Sequence, residues 1–130
     1  MFVSISDLSD VEATAVRYFR LWFEGADSQK VIEQNFTISL GYMDGYRASR
    51  SFGALCDLLL KKGRRDLVKL SVSSDWVGVG EHCFSQLISS SIYSDRDDAM
   101  LISFFLVSPE VAPVLFDLAQ ASGLAIKRMY

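Results

Sequence analysis

His82 is the single histidine of this chain, and it stands between Glu81 and Cys83, with Asp75 and Trp76 a few residues upstream. These are residue types suited to acid–base and thiol chemistry. A histidine titrates near neutrality, and a cysteine in the first turn of a helix has its thiolate favoured by the helix dipole. The spacing works against a dyad, because adjacent helical residues point about 100° apart and His82 cannot easily reach Cys83 on the same helix. Asp75 alone is a weak orienting group. The plainer reading makes Cys83 a small half-buried apolar residue and His82 a polar residue of the first turn, and the spacing favours it.

Other chemistry has less to stand on. One histidine with scattered carboxylates lacks the spacing of a zinc site, and there is no Glu-x-x-His pair, so no metal is expected. Gly78-Val79-Gly80 lacks the third glycine and the preceding strand of a nucleotide-binding fingerprint, and no Gly-x-Ser-x-Gly occurs, so no cofactor is expected either. The carboxylates of Asp95-Arg96-Asp97-Asp98 sit where a helix begins, and capping of free amides accounts for them.

Charge is unevenly spread. Arg47, Arg50, Lys61, Lys62, Arg64, Arg65 and Lys69 face only Asp57 and Asp66 within their segment, in a chain whose net charge is −3. A basic ridge of this kind can bind phosphate or nucleic acid. Yet no aromatic alternates with the basic residues on that face, and the chain as a whole is acidic. A solvated or partner-facing surface is the better reading, and nucleic acid the lesser one.

Positioning falls to a train of short helices. The 130 residues are half apolar and 22% charged, the balance of a single globular domain spanning 1–130. Ser9 with Glu12 three residues on reads as a capping box, and Ser108-Pro109 as another start. Gly41, Gly63 and Gly123 each follow a helical stretch and read as stops. The apolar spacing predicts helices over 9–24, 28–40, 44–62, 66–72, 81–93, 95–107 and 109–122, with an ordered loop over 73–80. The stretch 99–107 is apolar almost all round, which predicts a helix buried at the centre. The expected fold is therefore all-α, a compact, irregular bundle of six or seven short helices. The alternative is α+β, with the tail 124–130 pairing as a strand with 2–5.

Cys56 and Cys83 are too few for a disulfide framework, and no tract reaches the roughly 20 apolar residues of a membrane span. The first residues lack the basic and apolar regions of a secretory signal. A cytoplasmic protein is expected. The tracts Gly63-Arg64-Arg65, Glu81-His82-Cys83-Phe84, Asp95 to Ile102 and Pro109-Glu110-Val111-Ala112-Pro113 resemble a group of small uncharacterised bacterial proteins. That resemblance implies a bacterial cytosolic protein and assigns no functional residue.

No constellation combines nucleophile, base and orienting group, which points to a non-catalytic interaction module. A small-molecule or thiol-dependent enzyme using Glu81, His82 and Cys83 is the alternative. The chain carries 9 Phe, 5 Tyr and 2 Trp. Four of these, Tyr18, Phe19, Trp22 and Phe23, give the first helix an apolar face wider than one neighbour covers, which predicts a homodimer.

Overall fold

Ser9 opens the first helix with the reciprocal bonds that its spacing from Glu12 promises. Its hydroxyl accepts from the Glu12 amide at 3.2 Å, and the Glu12 carboxylate accepts from the Ser9 amide at 3.1 Å. The computed structural model describes residues 3–130. It runs through α1 (Asp10–Glu24), α2 (Ala26–Leu40), α3 (Tyr42–Lys62), α4 (Val79–Tyr93), α5 (Arg96–Leu106) and α6 (Ala112–Lys127). Two short strands, β1 (Val3–Ser4) and β2 (Trp76–Val77), pair antiparallel, with Val3 opposite Val77 and Ser4 opposite Trp76. The fold is all-α, as its periodicity predicts, and this ladder is its small extended part.

Aromatic rings from four helices fill the core. Tyr18 of α1 meets Phe36 of α2 and Phe52 of α3 edge to face, with centroids 5.3 and 5.9 Å apart. Phe19 lies 4.7 Å from Phe84 of α4, which in turn stands edge-on to Phe52. Such pairs add about 0.5–1.5 kcal/mol each beyond the area they bury. The wide apolar face of α1 is therefore used inside the chain. Tyr18 and Phe19 are buried, and Trp22 and Phe23 pack against the same core.

Several predicted elements differ from those observed. The stretch 66–72 forms no helix; its Leu70 amide is instead bonded by Glu81 of α4, and Gly80 packs close against the Leu67–Val68 backbone. Gly123 does not stop a helix. It lies inside α6, where a Cβ would come within 3.0 Å of Ile92 and 3.2 Å of Ile88, so its role is close approach to α4. The tail consequently continues as helix to Lys127 and does not form a strand; β1 takes β2 as its partner instead. Phe2 of the expected terminal strand lies outside the described residues. Pro109 lies in a turn ahead of the helix, and it is Pro113 that occupies the first turn of α6.

The α2–α3 hairpin depends on two glycines. Gly41 has φ of 90°, a conformation that residues with a Cβ avoid, and its amide closes α2 on the Thr37 carbonyl. Gly45 packs so closely that a Cβ would lie 2.4 Å from the Thr37 Cα, against rigid backbone. Replacing Gly45 with Ala must push the two helices apart. Urea denaturation should show Gly45→Ala less stable by about 2–3 kcal/mol, the range of an overpacked core.

Candidate functional site

Arg20 lies in α1 among Tyr18, Phe19, Leu21 and Trp22, and its side chain is fully buried. A guanidinium there must be paired, because an isolated buried charge costs far more than the fold can offset. Its partner is Glu81, also fully buried, in the first turn of α4. Arg20 Nε donates to Glu81 Oε2 at 2.7 Å and Nη2 donates to Oε1 at 3.0 Å, a bidentate fork. The remaining donors reach the loop between α3 and α4: Nη1 to the Ser74 carbonyl at 2.8 Å and Nη2 to the Trp76 carbonyl at 2.5 Å.

Glu81 binds the same loop from the other side. Its Oε2 accepts from the Leu70 amide and its Oε1 from the Gly78 amide, each at 3.0 Å. Burial pushes the Glu81 carboxyl up, but the Arg20 fork and the two amides outweigh it, so the pKa falls below its usual value of 4.5. Every strong hydrogen-bonding position of this carboxylate serves the fold. Glu81 is not a spare acid or base.

The other singled-out residues do not converge. His82 lies near enough to Glu12 of α1 to help hold its carboxyl down, and its Nδ1 is buried without a hydrogen-bond partner among the described residues. Glu12 also accepts from Gln86, at 2.5 Å. Burial pushes its carboxyl up, and the Ser9 and Gln86 bonds bring it below its usual value. Cys83 points elsewhere, into a groove of about 490 Å³ with Arg65, Val68, Leu70, Val79 and Phe105. Asp75 lines a separate cleft with Ser4, Asp10 and Arg17. Trp76 is largely exposed, on the strand that Arg20 holds. Cys56 is wholly buried in the core, and that burial pushes its thiol well up.

The basic residues are dispersed too. Arg47 borders α6 beside Arg128, whereas Arg50 faces α2 and lies 5.8 Å over the Tyr46 ring. Lys61 pairs with Asp57 at 2.9 Å, and Lys69 pairs with Glu24. Among the described residues Lys62, Arg64 and Arg65 have no ion pair. Arg65 lies 3.9 Å over the ring of Phe105 in α5, and the Arg64 amide donates to the Leu106 carbonyl at 2.8 Å.

That helix departs most from expectation. α5 is not central; it packs chiefly on α4 and α6 at the edge of the bundle. It turns Ala99, Ser103 and Leu106 inward and leaves Leu101, Phe104 and Phe105 outward, at 67, 41 and 48% exposure. Along a helix Asp97, Leu101 and Phe105 recur at four-residue spacing, with Phe104 beside them, so the large apolar residues form one outer stripe. Val68 and Val79, both well exposed, extend it into the Cys83 groove. The sequence did carry a signal for this arrangement. The small residues Ala99 and Ser103 mark the side that packs closely, and the bulky ones lie opposite.

No family model, curated protein or solved structure matches the chain. Among the described residues no group of three or more His, Cys, Asp or Glu is placed to hold a metal ion. No helix among them is long and apolar enough to cross a membrane.

Breaking the Arg20–Glu81 fork should be severe. Glu81→Gln leaves the guanidinium buried beside a neutral amide, and we expect a loss of about 3–5 kcal/mol in urea denaturation. Replacing both residues with Met should not restore stability, since the Ser74 and Trp76 carbonyls and the Leu70 and Gly78 amides would remain unsatisfied. The lowered pKa values of Glu81 and Glu12 set the sign with pH. Their contribution is complete above 4.5 and is lost as pH falls below it through the folded-state values. A melting temperature that held steady from pH 6 to about 3 would contradict this assignment.

Proposed function

We propose that this protein is a non-catalytic interaction module that presents the outer face of α5, with the adjoining groove of the 63–80 loop, to a protein partner. One observation carries the reading: three large apolar side chains lie in a single exposed stripe on a helix whose inward positions already satisfy its packing. Isolated exposed apolar residues are ordinary, but a contiguous stripe continuing into an apolar groove has the character of a docking surface. The scaffold beneath it is rigid, because Arg20 and Glu81 fix the loop that forms the far wall. The thiol alternative has less support, since His82 does not line the Cys83 groove, where Asp66 is the one acidic side chain.

If the stripe serves a partner, the solitary fold does not depend on it. At a protein concentration low enough that the chain is monomeric, the pair Leu101→Gln and Phe105→Gln should change unfolding free energy by no more than about 0.5 kcal/mol per site, the range of ordinary surface substitutions. A loss typical of core truncation, about 2 kcal/mol or more per site, would show that these residues hold the fold and would remove the basis for the reading. Iodoacetamide should alkylate Cys83 in the native protein and reach Cys56 only on unfolding. Alkylation of Cys83 much faster than a small free thiol would return the enzyme alternative to first place.

A further inference from the structure

We infer that the partner of this face is a second copy of the same chain, docked α5 against α5 in antiparallel about a two-fold axis at Leu101. The inference rests on the reading of the α5 face as a docking surface and adds what occupies it.

The face is polarised along its length. At its N-terminal end Asp97 and Asp98 are exposed and, among the described residues, make no ion pair. In the middle lie Leu101 and Phe104. At the C-terminal end stand Arg64 and Arg65, also exposed and without an ion pair, fixed there by the Arg64–Leu106 backbone bond and the stacking of Arg65 on Phe105; Asp66 beside them leaves this end net positive.

A surface negative at one end, apolar in the middle and positive at the other is complementary to itself when turned end to end. A two-fold axis perpendicular to the helix performs that operation, and it makes the contact isologous. Leu101 is the midpoint of Arg96–Leu106. An antiparallel pair centred there sets Asp97 against the partner's Phe105 and Arg65, and the symmetry repeats the contact at the other end. Leu101 and Phe104 of the two copies then cover one another. A uniformly acidic segment would meet Arg64 and Arg65 favourably but be repelled by Asp97 and Asp98, and a nucleic acid would meet the same conflict. Only an occupant with both signs in reversed order satisfies both ends.

Charge reversal tests this in both directions. Sedimentation equilibrium should give wild type at twice 14.5 kDa, dissociating on dilution. Asp97→Lys with Asp98→Lys makes both ends of the face positive, and Arg64→Glu with Arg65→Glu makes both ends negative. Each variant alone should dimerise at least about tenfold more weakly, because like charges meet at both ends. Mixed in equal amounts, the two should form a heterodimer at concentrations close to those of wild type. A variant that had merely lost α5 could not be rescued by its complement. The arginine variant also lies outside the helix and leaves it intact. Failure of the mixture to recover would overturn the inference. So would a wild-type mass near 14.5 kDa into the hundred-micromolar range, or a dimer indifferent to both reversals. Those failures are separable from failure of the docking reading itself, which is decided by the stability of the Leu101 and Phe105 substitutions in the isolated chain.

Discussion

A single buried ion pair determines where the long irregular loop of this protein lies. Arg20 and Glu81 are fully enclosed, and between them they bond to both strands of a loop that has almost no secondary structure of its own. Buried pairs are often no better for stability than apolar residues of the same size. Here the pair has a task that apolar residues cannot perform. It satisfies two carbonyls and two amides that would otherwise be stranded where α1 meets α4. Through those bonds Leu70 and Gly78 are fixed, and with them the walls of the groove beside α5.

The same crowding explains why α5 remains at the edge. Phe19, Phe36, Phe52 and Phe84 already occupy the centre, supplied by the first four helices. What remains for α5 is a shallow seat on α4 and α6, which Ala99 and Ser103 fit closely, the latter returning its hydroxyl to the Ala99 carbonyl. The bulky residues have no room inward. The charges at the ends of α5 agree with this placement. Asp95 accepts from the Asp98 amide and Asp97 and Asp98 follow in the first turn, where the helix dipole favours negative charge, while the positive end of the face adjoins the helix C-terminus.

Much of the fold is legible in the sequence where the signal is local. Ser9 and Glu12 announce α1, Gly41 the end of α2, and the apolar repeat of Ala48, Phe52, Leu55 and Leu59 the body of α3. Legibility fails where a residue's role depends on a distant neighbour. Gly123 reads as a stop until α4 is known to press against it. Residues 66–72 have helical spacing, yet Glu81 claims the Leu70 amide. Glu81 stands out beside His82 and Cys83 as potential chemistry, and its true partner is 61 residues away. A hint was available in the sequence. Arg20 lies in an otherwise apolar run, and a charge so placed must find an opposite one.

That separation bears on the order of events when the chain folds. The α2–α3 hairpin joins residues close in sequence, so its contacts cost little chain entropy to form. The Arg20–Glu81 fork must close a far longer loop and desolvate two full charges at once. Neither ion can leave water until the other is already in position. The fork is therefore a lock on a collapsed chain and not a nucleus for it. A chain with α1 and α4 out of register meets a charge with no counterion, and water reopens it. The pair proofreads the packing of the aromatic core: only the correct alignment of those two helices lets the door close.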